Sequence, residues 1–288
     1  MSKGMKTFLT ICGIVIGAGL ILAMIGAALG GIKGLSGVEE KVPWVSFGGA
    51  GRIESQNIST GDFHSVDIKC GLGSVQFIES NQYGAEISYD EKRDTPLARV
   101  VNGRLTINAS GERRAWFNFD IFGGLSYKDT AIKIYYPKGT SFNHVKVKND
   151  LGKIILNNVA AQIVDINASA GDVRINGLAA KHLNIESDLG DVTGSNVKTG
   201  GADVKISAGR IRMAGAFAGI TKIDSDLGDC VLTTSIPKSS YSIDVSMDMG
   251  SCRIDGKKPG AAFKGGNPAA ANQLKVKCSA GDAELKFQ

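Results

Sequence analysis

The sequence predicts an all-β fold: a β-solenoid of 19-residue coils with two short strands each, an N-terminal β cap, and one transmembrane α-helix ahead of both. Three observations carry this. Gly152, Gly171, Gly190, Gly209 and Gly228 follow one another at an unbroken interval of 19 residues. With 38 glycines in 288 residues, four further glycines would fall on preset positions by chance roughly 3 times in 10,000, so the spacing reads as a structural repeat. The flanks of each glycine alternate apolar and polar residues, and an uncharged apolar run lies near the N-terminus.

Residues 1–7 hold Lys3 and Lys6 and read as a cytoplasmic N-terminus. Residues 8–32, FLTICGIVIGAGLILAMIGAALGGI, carry no charge, and as a helix they reach about 37 Å, enough to cross a bilayer. Beyond them come Lys33, Glu39, Glu40 and Lys41. The charge bias therefore predicts a cytoplasmic N-terminus and an extracytoplasmic fold. The run is longer than the roughly 7–15 apolar residues of a cleaved signal peptide, and no clear A-x-A site follows, which favours an uncleaved anchor. Gly13 with Gly17 and Gly26 with Gly30 form two G-x-x-x-G spacings, a weak dimerisation signal between membrane helices. Residues 33–60, with GLSGVEEKVPW and GGAGRIES, read as a linker.

Residues 61–144 read as the N-terminal β region and cap. The first repeat-like string, VDIKCGLGSVQF around Gly73, is followed by AEISYDE, RLTINAS and AIKIYYPKG, strand-like runs separated by charged loops. A solenoid needs such an end, because an unpaired last coil would offer its N–H and C=O groups to any passing strand. Trp116, Phe117, Phe119, Ile121 and Phe122 crowd ahead of Gly123. They read as core of the cap, with an exposed surface for lipid or a partner as the sharper alternative.

Residues 145–288 read as the repeats. Before each glycine, Val145 and Val147, Val164 and Ile166, and Leu183 and Ile185 alternate with Lys146, Asp165 and Asn184. After it, Ile154 and Leu156, Val173 and Ile175, and Ile211 and Met213 continue the period of two, which describes strands with one face buried. A unit this small cannot bury its own apolar face, so coils must stack. Later copies around Gly250 and Gly281 are spaced more widely, and residues 256–272, GKKPGAAFKGGNPAAAN, read as a loop excursion too rich in Gly, Ala and Pro to stack. Glycine at Gly73, Gly152, Gly171, Gly190, Gly209, Gly228, Gly250 and Gly281 has a structural role, since it turns a sharp corner at positive φ.

Few signals of chemistry emerge. The net charge of +5 comes from 33 basic and 28 acidic residues spread along the chain, without the dense basic tract expected of a nucleic-acid binder. Asp150, Asp188, Asp226 and Asp248 precede the glycines, and Asp172, Asp191, Asp229 and Asp282 follow them. They read as turn residues that bond local backbone rather than as calcium ligands. Cys230 and Cys252 each fall two residues past a turn glycine and so share an inward slot in consecutive coils, as buried thiols with poor disulfide geometry. No CxxC pair, nucleophile elbow, metalloprotease or phosphate-loop string occurs, and the three histidines occupy unrelated repeat positions. The reading is a protein that is not an enzyme, with no cofactor and no metal. Arg174, Arg212 and Arg253 share one outward position, a candidate binding column for anionic cell-wall polymer or lipid headgroups.

The β region ending in IKIYYPKGTSF, followed by serial SAGDVRI, SDLGDV and SAGDAELKF turns, resembles the bacterial putative-adhesin family of β-strand-repeat domains of unknown function over about residues 60–288. The resemblance implies a cell-envelope protein with no established catalytic residues, some members being linked to envelope-stress regulation. Lys153 and Arg210 depart from the family's turn Asp. The expected function is a membrane-anchored extracytoplasmic solenoid acting as an adhesin-like binding or scaffolding protein, meeting a cell-wall polymer or an envelope protein. The alternative is an envelope-stress sensor or regulator working through a membrane partner.

Overall fold

In the computed structural model, residues 53–59, 61–90, 96–110 and 130–288 are described. The span expected at 8–32 with Cys12 and its G-x-x-x-G glycines, the linker up to 52 and the Trp116–Phe122 cluster lie outside them. Among the described residues no helix is long and apolar enough to cross a membrane.

The cap contains β1 (Ile53–Ser59), β2 (Ser65–Ser80), β3 (Gly84–Asp90), β4 (Leu97–Val101), β5 (Arg104–Ala109) and β6 (Thr130–Pro137). The coils follow as β7 (Ser141–Ala170), β8 (Val173–Leu189), β9 (Val192–Ala208), β10 (Ile211–Leu227) and β11 (Cys230–Thr234). The C-terminal end holds β12 (Tyr241–Met249), β13 (Cys252–Ile254), β14 (Lys257–Gly260), β15 (Ala262–Gly266), β16 (Asn272–Ala280) and β17 (Ala283–Phe287). The fold is all-β, with coils stacked in parallel as in a β-solenoid. Ile154 pairs with Val173, Val173 with Val192, Val192 with Ile211, and Ile211 with Cys230, each one repeat further along.

Each strand alternates because one face lines the interior. Val145, Val147, Ile154, Leu156 and Val159 are buried, as are their stacked equivalents Val164, Ile166, Val173, Ile175 and Leu178. Each coil has three paired sides, not two. Val159, Ala160 and Ala161 pair in register with Leu178, Ala179 and Ala180, and Leu178 pairs on with Val197. The sequence shows one large apolar residue on this side, because alanines suffice where the walls converge. At the cap the core turns aromatic: Phe63, Phe77, Tyr136 and Phe142 are buried and lie edge-on or stacked against one another.

The corners are held by backbone approach. All eight turn glycines have φ between 123° and 142°, a region that disfavours any residue with a Cβ. A Cβ on Gly190 would fall on the carbonyl of Gly171, and one on Gly171 on the carbonyl of Gly152. The same contact continues from Gly73 through to Gly250.

The last coils are not stacked in chain order. β16 lies between β10 and β12, and β17 lies between β11 and β13, all in parallel. The chain leaves β11 through Pro237 and a short 3-10 helix, Lys238–Ser240, and builds the outermost level first. It then returns to fill the level it skipped. Asn272 pins this return by accepting from the Gly219 N–H at 2.8 Å and donating to the Ser240 carbonyl at 3.1 Å. Cys230 and Cys252 are therefore not in consecutive coils, since Ala283 pairs with both and sits between them. Cys70, Cys230, Cys252 and Cys278 are buried, and burial pushes the Cys230 thiol up to about 12.

Both ends are closed by antiparallel strands. β4 covers β5, β3 covers β6, and β1 (Ile53–Ser59) covers β3, so the last residues read as linker are an edge strand. At the other end β15 pairs with β12 and β14 with β13, inside the segment read as a loop excursion. Such strands bond through their backbone and pack on one face only, so Gly and Pro are tolerated there and the apolar alternation that marks a strand is weak.

Gly190→Ala is expected to lower stability by about 2 kcal/mol or more through strain and overpacking, read as a shifted urea midpoint. Gly139→Ala, at φ 85° with open space around the added carbon, should shift it less. Peptide mapping after maleimide treatment of the native protein should find Cys70, Cys230, Cys252 and Cys278 unmodified, and modified only after unfolding.

Candidate functional site

From Gly152 onward the corner before the glycine alternates Asp-Leu-Gly or Asp-Met-Gly with Ser-Ala-Gly, and the displaced C-terminal level keeps that alternation intact in space. Reading along the stack, Leu151, Ala170, Leu189, Ala208, Leu227, Ala280 and Met249 form one row, because Ala280 pairs with both Leu227 and Met249. Had the coils stacked in chain order, Leu227 and Met249 would be adjacent and the pattern broken. Leu151, Leu189, Leu227 and Met249 are 46%, 56%, 57% and 67% exposed. They stand two levels apart, about 9.6 Å, with alanines forming notches between them. Such a row of large exposed side chains needs an explanation in a soluble surface.

This ridge is flanked by acid. Asp150, Asp188, Asp226 and Asp248 precede the four large side chains and are exposed. Following the glycines run Lys153, Asp172, Asp191, Arg210, Asp229, Asp282 and Ser251, one per level. The aspartates of this second row bond to the next level rather than to their own turn, which corrects the local-turn reading. Oδ1 of Asp191 accepts the Arg210 N–H at 3.0 Å, Oδ1 of Asp229 the Asp282 N–H at 3.0 Å, and Oδ1 of Asp282 the Ser251 N–H at 2.9 Å. These carboxylates bridge backbone, and the bridge spans the displaced level. Among the described residues no group of three or more His, Cys, Asp and Glu side chains converges as a metal site would.

The arginine column is broken in space. Arg174 and Arg212 are two levels apart with Thr193 between them, and Val231 and Glu284 separate Arg212 from Arg253. Each lies beside an acid of the bridging row: Arg174 reaches Asp172 at 3.2 Å and Arg253 reaches Asp282 at 3.7 Å, while the Arg212 charge helps to lower the Asp191 pKa. The hydrogen bond from the Arg210 side chain, at 2.6 Å, is the main cause of that lowering. Asp282 is lowered chiefly by the Ser251 N–H. These arginines balance the acids that tie the levels together.

Two histidines repeat one contact. His144 Nε2 lies 2.7 Å from Asp165 and His182 Nε2 lies 3.3 Å from Asp203, each reaching the carboxylate of the following coil. The sequence reading placed the histidines at unrelated positions, although His144 and His182 stand two repeat lengths apart and so share one position of the 19-residue frame. At the cap, His64, Ser65, Arg99, Val101, Asn102, Arg104 and Thr106 line a cavity of about 550 Å³ that the sequence reading missed.

The family model described as Toastrack DUF4097 matches residues 63–286. Among solved structures, a putative adhesin from Bacteroides fragilis is 12% identical, covering 81% of this chain and 97% of its own, with a TM-score of 0.44. A putative adhesin from Parabacteroides merdae is 15% identical over 83% of this chain and 98% of its own, with a TM-score of 0.43. A putative cell adhesion protein from Clostridium sporogenes is 15% identical over 82% and 99%, with a TM-score of 0.40. No curated protein matches the chain.

Because the Asp191 carboxyl is held below its ordinary value of 3.8, its contribution to stability is present above that value and lost as pH falls through the lowered one. Melting temperature measured from about pH 6 down to about pH 2 should therefore fall less steeply in Asp191→Asn, whose stability at neutral pH should already be lower.

Proposed function

The chain belongs to the Toastrack DUF4097 family, and from that premise we propose that it is a membrane-anchored, extracytoplasmic binding or scaffolding protein of the bacterial cell envelope, adhesin-like in action. It works by surface rather than by turnover. The observation that carries the reading is the ridge of Leu151, Leu189, Leu227 and Met249, kept in phase across a displaced coil and bordered by Asp150, Asp188, Asp226 and Asp248. Exposed apolar side chains in a regular row cost solubility unless something covers them, and neighbouring acid selects what does. The partner best suited is an envelope protein that presents apolar side chains beside cations. An anionic polymer suits the arginine column less well, since Arg174 and Arg253 are already beside acids.

The repetition argues for binding over catalysis. His144 with Asp165 and His182 with Asp203 are copies of one contact, whereas an active site is a unique cluster that breaks its repeat. The apolar run at 8–32 would hold the fold at the membrane, with Lys3 and Lys6 on the cytoplasmic side.

Site-specific photo-crosslinking in living cells, with the reactive group at Leu189 or Leu227, should yield a discrete adduct that a probe at exposed Lys205 does not. Leu189→Ser with Leu227→Ser should reduce that adduct severalfold while changing stability by no more than about 0.5 kcal/mol each. Protease treatment of intact spheroplasts should cleave the fold. Adducts of equal yield at Lys205, or a fold protected until the membrane is opened, would overturn the reading.

A further inference from the structure

The cap carries a second surface, of opposite charge to the ridge. Among the described residues β4 is the last strand on its side of the stack, and its alternate residues Leu97, Arg99 and Val101 face outward. Leu97 is 70% and Val101 54% exposed, two apolar side chains on either side of a cation. Arg99 pairs with Thr106 and Val101 with Arg104, so both arginines border the cavity that His64, Ser65 and Asn102 complete. On the next strands of the same side stand Lys69, Lys146 and Lys148, all exposed, against Asp67 and against Asp150, which pairs with Lys148 at 3.8 Å. Further along that side Asp165, Glu186, Asp203 and Asp224 outnumber Lys205 and Lys222.

We propose that this face, Leu97, Arg99, Val101 and Arg104 with Lys69 and Lys146 behind them, docks on an anionic lipid surface, the cavity receiving a headgroup phosphate. Guanidinium groups suit phosphate oxygens, and an apolar side chain on either side can enter the interface while the cations stay at headgroup level. The other end of the fold also bears lysines, Lys257, Lys258 and Lys264. Two observations select the cap. β1 starts at Ile53 and pairs with β3, which pairs with β6 at the cap end, so residues 33–52 join the fold there. Residues 33–52 between the apolar run and β1 reach at most about 70 Å when extended, so an anchor at 8–32 would keep the cap at high local concentration beside the bilayer. In this respect the inference rests on the membrane-anchored reading above.

The test uses the full chain with Cys12→Ser and a fluorophore on Val101→Cys, in vesicles of phosphatidylcholine with one-third phosphatidylglycerol and a doxyl-labelled lipid as quencher. The label should be quenched in these vesicles, much less in pure phosphatidylcholine, and less again in high salt. Arg99→Glu with Arg104→Glu should weaken the docking by about tenfold or more without lowering the melting temperature, and Lys257→Glu, Lys258→Glu and Lys264→Glu together should leave it intact. Quenching that is absent, indifferent to lipid charge, or lost only in the lysine variant would overturn the proposal. Extraction at alkaline pH reports separately on the anchor. Should the chain be extracted, the anchored reading fails, and co-sedimentation of the unanchored protein with the same vesicles decides the docking face: binding lost in the arginine variant supports it, and no binding overturns it.

Discussion

The structure depends on one backbone contact, repeated at every level: the carbonyl of each turn glycine occupies the space where the glycine of the next level would carry a Cβ. No other residue type allows that approach at φ near 130°. Because the corners stack directly, the parallel ladders on all three sides stay in register, and equivalent side chains become columns. The interior columns of Val, Ile and Leu form the core. The exterior columns form the corner surface, so ridge and acid row exist only because the corner repeats.

The displaced C-terminal level shows how strictly the corner pattern is kept. Between the Asp-Leu-Gly of Gly228 and the Asp-Met-Gly of Gly250, the chain inserts the Ser-Ala-Gly of Gly281, which arrives last in sequence. The interior benefits from the same order: Ala283 separates Cys230 from Cys252, and Cys278 stands between Ser225 and Met247. The hydrogen bonds from the Asp282 N–H to Asp229 and from the Ser251 N–H to Asp282 cross the inserted level without interruption. Backbone pairing, corner alternation and carboxylate bridging therefore agree on one arrangement, the consistency that distinguishes a specified fold from a merely compact one.

Charge divides the surface. Along the corner, acids border an apolar ridge; at the cap, cations border exposed Leu97 and Val101. The ends are also where edges would invite aggregation, and both are covered by antiparallel strands, with small or charged residues facing out of β15 at the C-terminal end. At the N-terminal end the same hairpin of β4 and β5 caps an edge and forms the proposed docking face.

By itself the sequence determined the repeat, its glycine corners and the inward and outward faces of the main strands, because a 19-residue period and an alternation of two are local properties that each coil carries within itself. AEISYDE, RLTINAS and AIKIYYPKG were legible as cap strands for the same reason. Left to the tertiary structure were the third paired side, where alanines hide the alternation, the edge strands β1, β14 and β15, whose backbone pairing leaves little apolar alternation in sequence, and the aromatic core of Phe63, Phe77, Tyr136 and Phe142. The order of the last levels was likewise beyond reach. A repeat reveals its phase along the chain but not its neighbour in space, and the ridge, the parted cysteines and the broken arginine column all follow from which strand fills the gap.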